Sequence, residues 1–195
     1  MVLAEDTKRE ILEEEKFIQD AENNLKKAIQ DIETALPYLQ KLDPSKFNSQ
    51  NNSAFEAEIR AAKPAAQRAA KWLYVAAKRV GRIIEDERDV AKIAGALQGA
   101  VAEHATPLAI NAAESSAVKY LQAQAGNLRA SFEAIKKMHE ACQQIADTET
   151  TMAIYQRIYQ TRNFAKVAEN TAEEFGIFAK QMPAIFRLFE KLRRI

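Results

Sequence analysis

Cysteine is almost absent from this chain, and its scarcity excludes several kinds of site. Cys142 is the single cysteine among 195 residues, so no disulfide forms within the chain and no cluster of thiolates holds a metal ion. Such cysteine usage is typical of a reducing compartment, and we expect a cytoplasmic protein. Export by a specialised secretion system leaves no mark in a sequence, so it stays open as an alternative.

Glycine and proline are scarce too, with five of each. Together with a hydrophobic share of 47%, this excludes a collagen-like or turn-rich β protein and a disordered chain. No run approaches the roughly 20 apolar residues of a membrane-spanning helix, and residues 1–6 lack the basic and apolar regions of a secretory signal. The net charge of +1 creates no overall attraction to nucleic acid or anionic membranes, so any such binding must come from a local patch.

Histidine occurs only twice, which argues against a metal centre. Carboxylate-bridged metal sites in helical bundles need a Glu three residues before an inward His, but Val101 precedes His104 and Lys136 precedes His139 at that spacing. His139 and Cys142 stand one helical turn apart, yet two ligands are too few, and we interpret them as a partly buried polar residue beside a buried thiol. Glycine-rich phosphate loops are missing as well. The sequence therefore predicts no catalytic residue, no cofactor and no metal, and a protein that is not an enzyme.

The pattern that is present is a 3-4 spacing of apolar residues through four long segments. The first segment repeats most regularly, with two sets of positions seven residues apart: Ile11, Ile18, Leu25, Ile32 and Leu39, and then Ala21, Ala28, Ala35 and Leu42. This near-heptad seam is typical of a helix that packs against a neighbouring helix. The alanines predict close approach of that neighbour, because a methyl group takes little space.

The same spacing and the turn residues between segments predict the whole architecture. Helices are expected at approximately 4–42, 54–103, 107–146 and 148–195, separated by Asp43-Pro44, a Ser53 to Glu56 capping box, Thr106-Pro107 and the polar residues 147–150. Pro64 and Pro183 fall inside predicted helices and indicate kinks. The fold class is all-α: a single domain over 1–195, built as an elongated antiparallel up-down-up-down four-helix bundle with coiled-coil-like, Ala-rich seams.

A set of basic residues in the second segment is the first candidate for function. Residues 60–82 contain seven bases and no acid, and at about 100° per residue all but Lys63 gather on one face opposite the Ala-rich seam. These six residues, here called the basic stripe, are Arg60, Arg68, Lys71, Lys78, Arg79 and Arg82. Trp72 and Tyr74 flank the stripe, which suggests a partner protein or, through phosphate contacts and stacking, a nucleic acid.

An alternative explanation of the basic stripe needs no ligand. Residues 5–33 contain ten acids and five bases, so an acidic first helix that lies beside a basic second helix would neutralise the stripe within the molecule. Charged runs are also often merely solvated.

The second candidate lies at the carboxyl terminus. From residue 180 onward there are five bases and one acid, and more of the helix circumference is apolar than one seam requires. The members of this C-terminal face are Phe178, Ile185, Phe186, Phe189, Leu192, Arg193 and Arg194. A cationic helix with a broad aromatic face is typical of a membrane-surface or partner-binding element, although the wide end of a bundle core would show the same pattern.

The sequence suggests three functions, in this order. The first is a non-enzymatic helical bundle that acts through protein–protein interaction, as an adaptor, regulator or assembly component, including self-association. The second is a membrane-active bundle that holds the C-terminal face folded away and exposes it to a bilayer. The third is nucleic-acid binding through the basic stripe at 60–82.

Overall fold

The computed structural model describes residues 5–47, 52–85, 87–103 and 108–195, and within these ranges the regular structure is entirely helical. The predicted all-α class is confirmed. The α-helices are α1 (Glu5–Gln40), α2 (Asn52–Ile84), α3 (Glu87–Glu103), α4 (Ala112–Asp147), α5 (Thr151–Gln160) and α6 (Phe164–Arg193), and a short 3₁₀ helix (Pro44–Lys46) follows α1. No helix in the described ranges is long and apolar enough to cross a bilayer.

Helix α1 has the extent and the buried face that its heptad spacing predicts. All nine predicted seam residues are buried, and Leu25, Ala28, Ile32 and Ala35 are completely shielded from solvent. The helix ends two residues before the predicted limit. Asp43 then caps the 3₁₀ helix by accepting hydrogen bonds from the Ser45 backbone amide and hydroxyl group, which also lower the pKa of its carboxyl group.

The single helix predicted over 54–103 is wrong, because the structure contains two helices there. Helix α2 ends at Ile84 and α3 begins at Glu87. Five consecutive charged residues occupy positions 85–89, so the apolar spacing is interrupted between Ile84 and Val90. A helical stretch without an apolar residue gains little from tertiary packing, which supplies most helical stability in proteins.

The single helix predicted over 148–195 is also wrong. Helix α5 ends at Gln160 and α6 begins at Phe164, after Asn163 in a left-handed conformation with φ of 65°. Asparagine tolerates this conformation better than most residues, and it redirects the chain. Helix α5 contacts α2 and α4, whereas α6 contacts α1 and α4.

The start of α4 differs from the prediction as well. The helix begins at Ala112 rather than near residue 107, and Asn111 forms a capping box with Glu114. The predicted cap at Thr106-Pro107 lies outside the described residues, as does His104. Once begun, α4 continues through Gly126-Asn127 to Asp147, as the unbroken spacing predicts.

One connected hydrophobic core joins the helices from Ile11 to Leu192. Helix α1 packs against α2 and α6, and α4 packs against the same two helices and against α3. Pro64 and Pro183 lie inside α2 and α6 without ending them, and the kinks expected there stay a prediction. The basic stripe therefore lies on α2 and the C-terminal face on α6, and both helices pack against α1 and α4.

Candidate functional site

The basic stripe lies on the outer surface of α2. Arg60, Arg68, Lys71, Lys78 and Arg82 are exposed, and only Arg79 is half-buried. The opposite face carries the alanines and Leu73, which are buried. The 3.6-residue period of the helix separates the two sets, so the cations face solvent because the small residues face the core.

Aromatic rings hold three of these cations against the helix surface. The Lys78 Nζ atom lies 5.1 Å from the centroid of the Tyr74 ring, and the Lys71 Nζ atom lies 5.5 Å from that of Trp72. The Arg68 Cζ atom lies 5.5 Å from the ring of Tyr38 on α1. Cation–π contacts of this kind restrict the side chains and leave their N–H groups available to an anionic partner.

Arg79 is the member of the basic stripe that the first helix neutralises. Its Nε atom lies 2.6 Å from Oδ2 of Asp31, whose side chain is 8% exposed. Arg60 instead lies 3.5 Å from Glu56 on its own helix, with both side chains well exposed, a pair that contributes little. The alternative explanation, neutralisation by the acidic first helix, therefore accounts for one residue of six among the described contacts.

The register of α1 against α2 explains why neutralisation is so limited. Contacts between Asp31 and Arg79 and between Tyr38 and Arg68 show that the two helices run in opposite directions. The acid-rich part of α1 is its first half, and this half lies beyond the stripe, beside α3. Glu10 and Glu14, for example, line a cavity together with Ile93 of α3.

His139 and Cys142 of α4 occupy structural positions. The His139 ring lies 5.4 Å from the Tyr74 ring, and its Nδ1 atom donates to the Ala70 carbonyl oxygen at 2.9 Å. Cys142 is fully buried, and this burial raises the pKa of its thiol to about 12. A reactive cysteine needs the opposite shift, so the interpretation as a polar residue beside a buried thiol is confirmed.

The C-terminal face is mostly core. Phe178, Ile185, Phe189 and Leu192 are buried and Phe186 is half-buried against them. Arg193 lies 3.3 Å from Glu15 of α1, and Arg194 is exposed. In the folded protein Phe178 and Phe189 belong to the core, and Phe186 packs partly buried against it.

An ion pair that the sequence analysis missed fastens the end of α6 to the start of α4. The Lys191 Nζ atom donates to Oε2 of Glu114 at 2.7 Å and to the Ala109 carbonyl oxygen at 2.7 Å. The Glu114 side chain is completely buried. The Asn111 to Glu114 spacing is a capping-box signal that could have located this helix start, but nothing in the sequence indicates that Lys191 lies beside it.

The electrostatics of Glu114 combine opposing effects. Desolvation by burial raises the pKa of its carboxyl group, whereas hydrogen bonds from Lys191 and from the Asn111 amide lower it, as do the charges of Lys191 and Arg187. The lowering effects prevail, and the pKa lies below the usual range of a glutamate. Glu114 is therefore ionised at neutral pH although it is buried.

Within the described residues, no group of three or more potential metal ligands lies close enough to hold an ion. No protein-family model matches this chain, and no curated protein or solved structure matches it either.

Proposed function

We propose that this protein acts by binding another protein, through the basic stripe on α2, and that it is not an enzyme. The observation that carries the proposal is an exposed cationic face from Arg60 to Arg82, in which Arg79 alone among the described contacts is neutralised by the neighbouring helix. At 1.5 Å per residue the stripe is about 33 Å long. Its chemistry fits a partner segment that presents carboxylates along a similar length.

The occupied aromatic rings favour a protein partner over a nucleic acid. Binding of single strands requires aromatic faces that are free to stack on bases. Here Lys78 covers one face of Tyr74 and His139 lies beside the same ring, while Lys71 covers Trp72. A carboxylate-rich surface needs only the cations, which remain exposed.

We infer in addition that the helices form an up-down-up-down bundle of four long elements with Ala-rich, coiled-coil-like seams. Helix α3 would extend the path of α2, and α5 would cross the end of the bundle. The supporting observations are the packing of α1 and α4 each against both α2 and α6. Completely buried alanines in α1 and α2 fit the close approach that such seams need.

The membrane-active alternative receives less support. It requires α6 to detach, which would expose four buried members of the C-terminal face and break the contacts of Lys191 and Arg193. Burial of one large apolar side chain contributes about 1.5–3 kcal/mol, so detachment carries a large cost that a bilayer would have to offset.

A photo-crosslinking experiment tests the proposed surface. A benzophenone amino acid is placed at Tyr74, on the stripe, or at Tyr159, a matched control that is equally exposed and also lies under a cation, Arg162. In cells, position 74 should give one discrete protein adduct that position 159 does not give. Equal adduct patterns at both positions would contradict the assignment of the surface.

A charge-reversal variant then tests the chemistry. Replacement of Arg68, Lys71, Lys78 and Arg82 by Glu should abolish the adduct at position 74 without changing helicity. Reversal of four exposed lysines elsewhere (Lys27, Lys137, Lys166 and Lys180) is the control. Binding of the parent protein to a single-stranded 30-mer at low salt, abolished by the stripe variant, would instead support the nucleic-acid function.

A further inference from the structure

The outward face of α2 carries a second 3-4 spacing, in addition to the seam that faces the core. Its positions alternate by four and three residues and lie within about 80° of the helix circumference. All of them are exposed except Val75, which is half-buried. The members of this outer seam are Pro64, Arg68, Lys71, Val75, Lys78 and Arg82. Because two helices pack lengthwise with this spacing, the outward face of α2 has the pattern of a helix-packing surface.

The outer seam places one apolar side chain among four cations. Val75 stands four residues after Lys71 and three before Lys78, and Arg68 and Arg82 lie seven residues to either side of it. These positions share one face of the helix. A partner that complements this face therefore presents an apolar residue opposite Val75 and carboxylates opposite the cations.

The repeat of the cations along α2 fits a helical partner. Arg68, Val75 and Arg82 form one column of the outer seam, and Lys71 and Lys78 belong to the other. Positions seven residues apart on a helix repeat every 10.5 Å or about that distance, at 1.5 Å per residue. A second helix laid alongside has the same repeat. An extended segment presents residues on one side about every 6.8 Å, so its carboxylates fall out of step with the columns.

The cations are also partly ordered before a partner arrives. Cation–π contacts restrict Arg68, Lys71 and Lys78, which lowers the entropy cost of binding a rigid partner. The four cations lie in the carboxyl-terminal half of α2. An antiparallel partner helix places its amino-terminal half there, where acidic side chains are favourable to a helix.

We propose that the partner of the basic stripe contributes an amphipathic α-helix that packs antiparallel along α2. Its carboxylates lie opposite the four cations of the outer seam, and its apolar residues lie opposite Val75 and Pro64. This inference rests on the proposed function, because it names the kind of protein segment that the basic stripe binds.

Fluorescence anisotropy of the full chain with two labelled 19-residue peptides tests the proposal. The helical peptide has glutamates at positions 1, 5, 12 and 15, which align antiparallel with the four cations, leucines at positions 8 and 19 for Val75 and Pro64, and alanine or glutamine elsewhere. The second peptide replaces two interior alanines by prolines and cannot form the helix. At low salt the helical peptide should bind at least tenfold more tightly.

The outcomes separate this inference from the proposed function. Equal binding of the two peptides would overturn the helical partner and leave an acidic partner in place. Absence of binding by both peptides would also overturn it, and the crosslinked adduct at position 74 would then decide the proposed function on its own.

A substitution at Val75 tests the apolar contact, which attraction between charges does not require. Val75→Asn keeps every cation and should weaken the helical peptide at least fivefold while leaving the proline peptide unchanged. Val167→Asn, at an exposed valine on α6, should change neither. If Val75→Asn lowers the melting temperature, asparagine in place of the leucine at position 8 of the peptide makes the same comparison on the parent protein. Unchanged affinity would overturn the proposal, since the cations alone would then account for binding.

Discussion

The basic stripe of α2 and the C-terminal face of α6 combine similar residues and end in opposite environments. Both stretches combine cations with aromatic residues, yet the stripe is exposed while four of the five apolar members of the C-terminal face are buried. On α2 the cations occupy one narrow face opposite the alanines. On α6 the apolar residues occupy a wide arc, so the same composition produces a surface in one helix and a core in the other.

The number of neighbours explains the wide apolar arc of α6. This helix packs against α1 and α4, and Phe189 and Leu192 also line a cavity together with Leu97 of α3. A helix that packs against two neighbours needs more apolar circumference than a helix on a single seam. An apolar arc that looks excessive in one isolated helix is therefore no evidence of a membrane-binding face until its neighbours are known.

The largest expected effect comes from placing a charge on the C-terminal face. Ile185→Asp should destabilise the protein by about 4 kcal/mol or more, because it buries an unpaired carboxylate at a completely shielded position. Ile177→Asp is the matched control, since Ile177 lies on the same helix and is 42% exposed. Urea denaturation followed by circular dichroism measures both; equal midpoints for the two variants would show that this face is not core.

Removal of the Lys191 ammonium group should have the next largest effect. Lys191→Met leaves the buried Glu114 carboxylate unpaired, and we expect a loss of about 3 kcal/mol at pH 7. Arg194→Met removes an exposed cation three residues later and should change the free energy of unfolding by less than about 0.5 kcal/mol. The same denaturation experiment compares the two variants. An unchanged free energy of unfolding in Lys191→Met would show that the Glu114–Lys191 ion pair does not hold α6 in place.

The pH dependence of stability provides a second test of the Glu114–Lys191 pair. The pKa of Glu114 is lowered in the folded protein, so its contribution to stability is present above the unfolded pKa, about 4.3, and is lost as the pH falls through the folded value. In Lys191→Met the hydrogen bond and the charge of Lys191 are gone, and we expect desolvation, the largest single effect, to raise the pKa of Glu114 above its unfolded value. That variant should become more stable from pH 7 to pH 5 while the parent protein stays constant, and parallel curves would contradict the assigned cause.

The sequence indicates some of these structural features clearly and others not at all. The apolar spacing indicates which face of each helix is buried, because the helical period determines which residues meet a neighbouring helix. The α1 seam and the outward direction of the stripe could therefore be predicted. The break between α2 and α3 has a signal in the charged run at 85–89, and Asn163 marks the second break. The pairs Asp31–Arg79 and Glu114–Lys191 join residues distant in the chain, so they depend on a register that no local pattern contains.

Within the basic stripe, Arg79 should differ from its exposed neighbours. Arg79→Met leaves Asp31 unpaired and largely buried and should cost about 1–2 kcal/mol, whereas Arg82→Met should cost less than about 0.5 kcal/mol. Thermal melts of the two variants provide the comparison. Similar melting temperatures would indicate that α1 neutralises the stripe no more at Arg79 than at Arg82.

Thiol accessibility tests most directly the central claim that the stripe is surface and the C-terminal face is core. Lys78→Cys places a thiol on the stripe, and Ala184→Cys places one at a buried position of α6; the native Cys142 serves as a buried standard in both variants. The variants are treated with iodoacetamide, and mass spectrometry measures the alkylation of each thiol. The thiol at position 78 should react rapidly, and those at positions 184 and 142 only after urea is added. Equally rapid modification at positions 78 and 184 in the native protein would contradict the account.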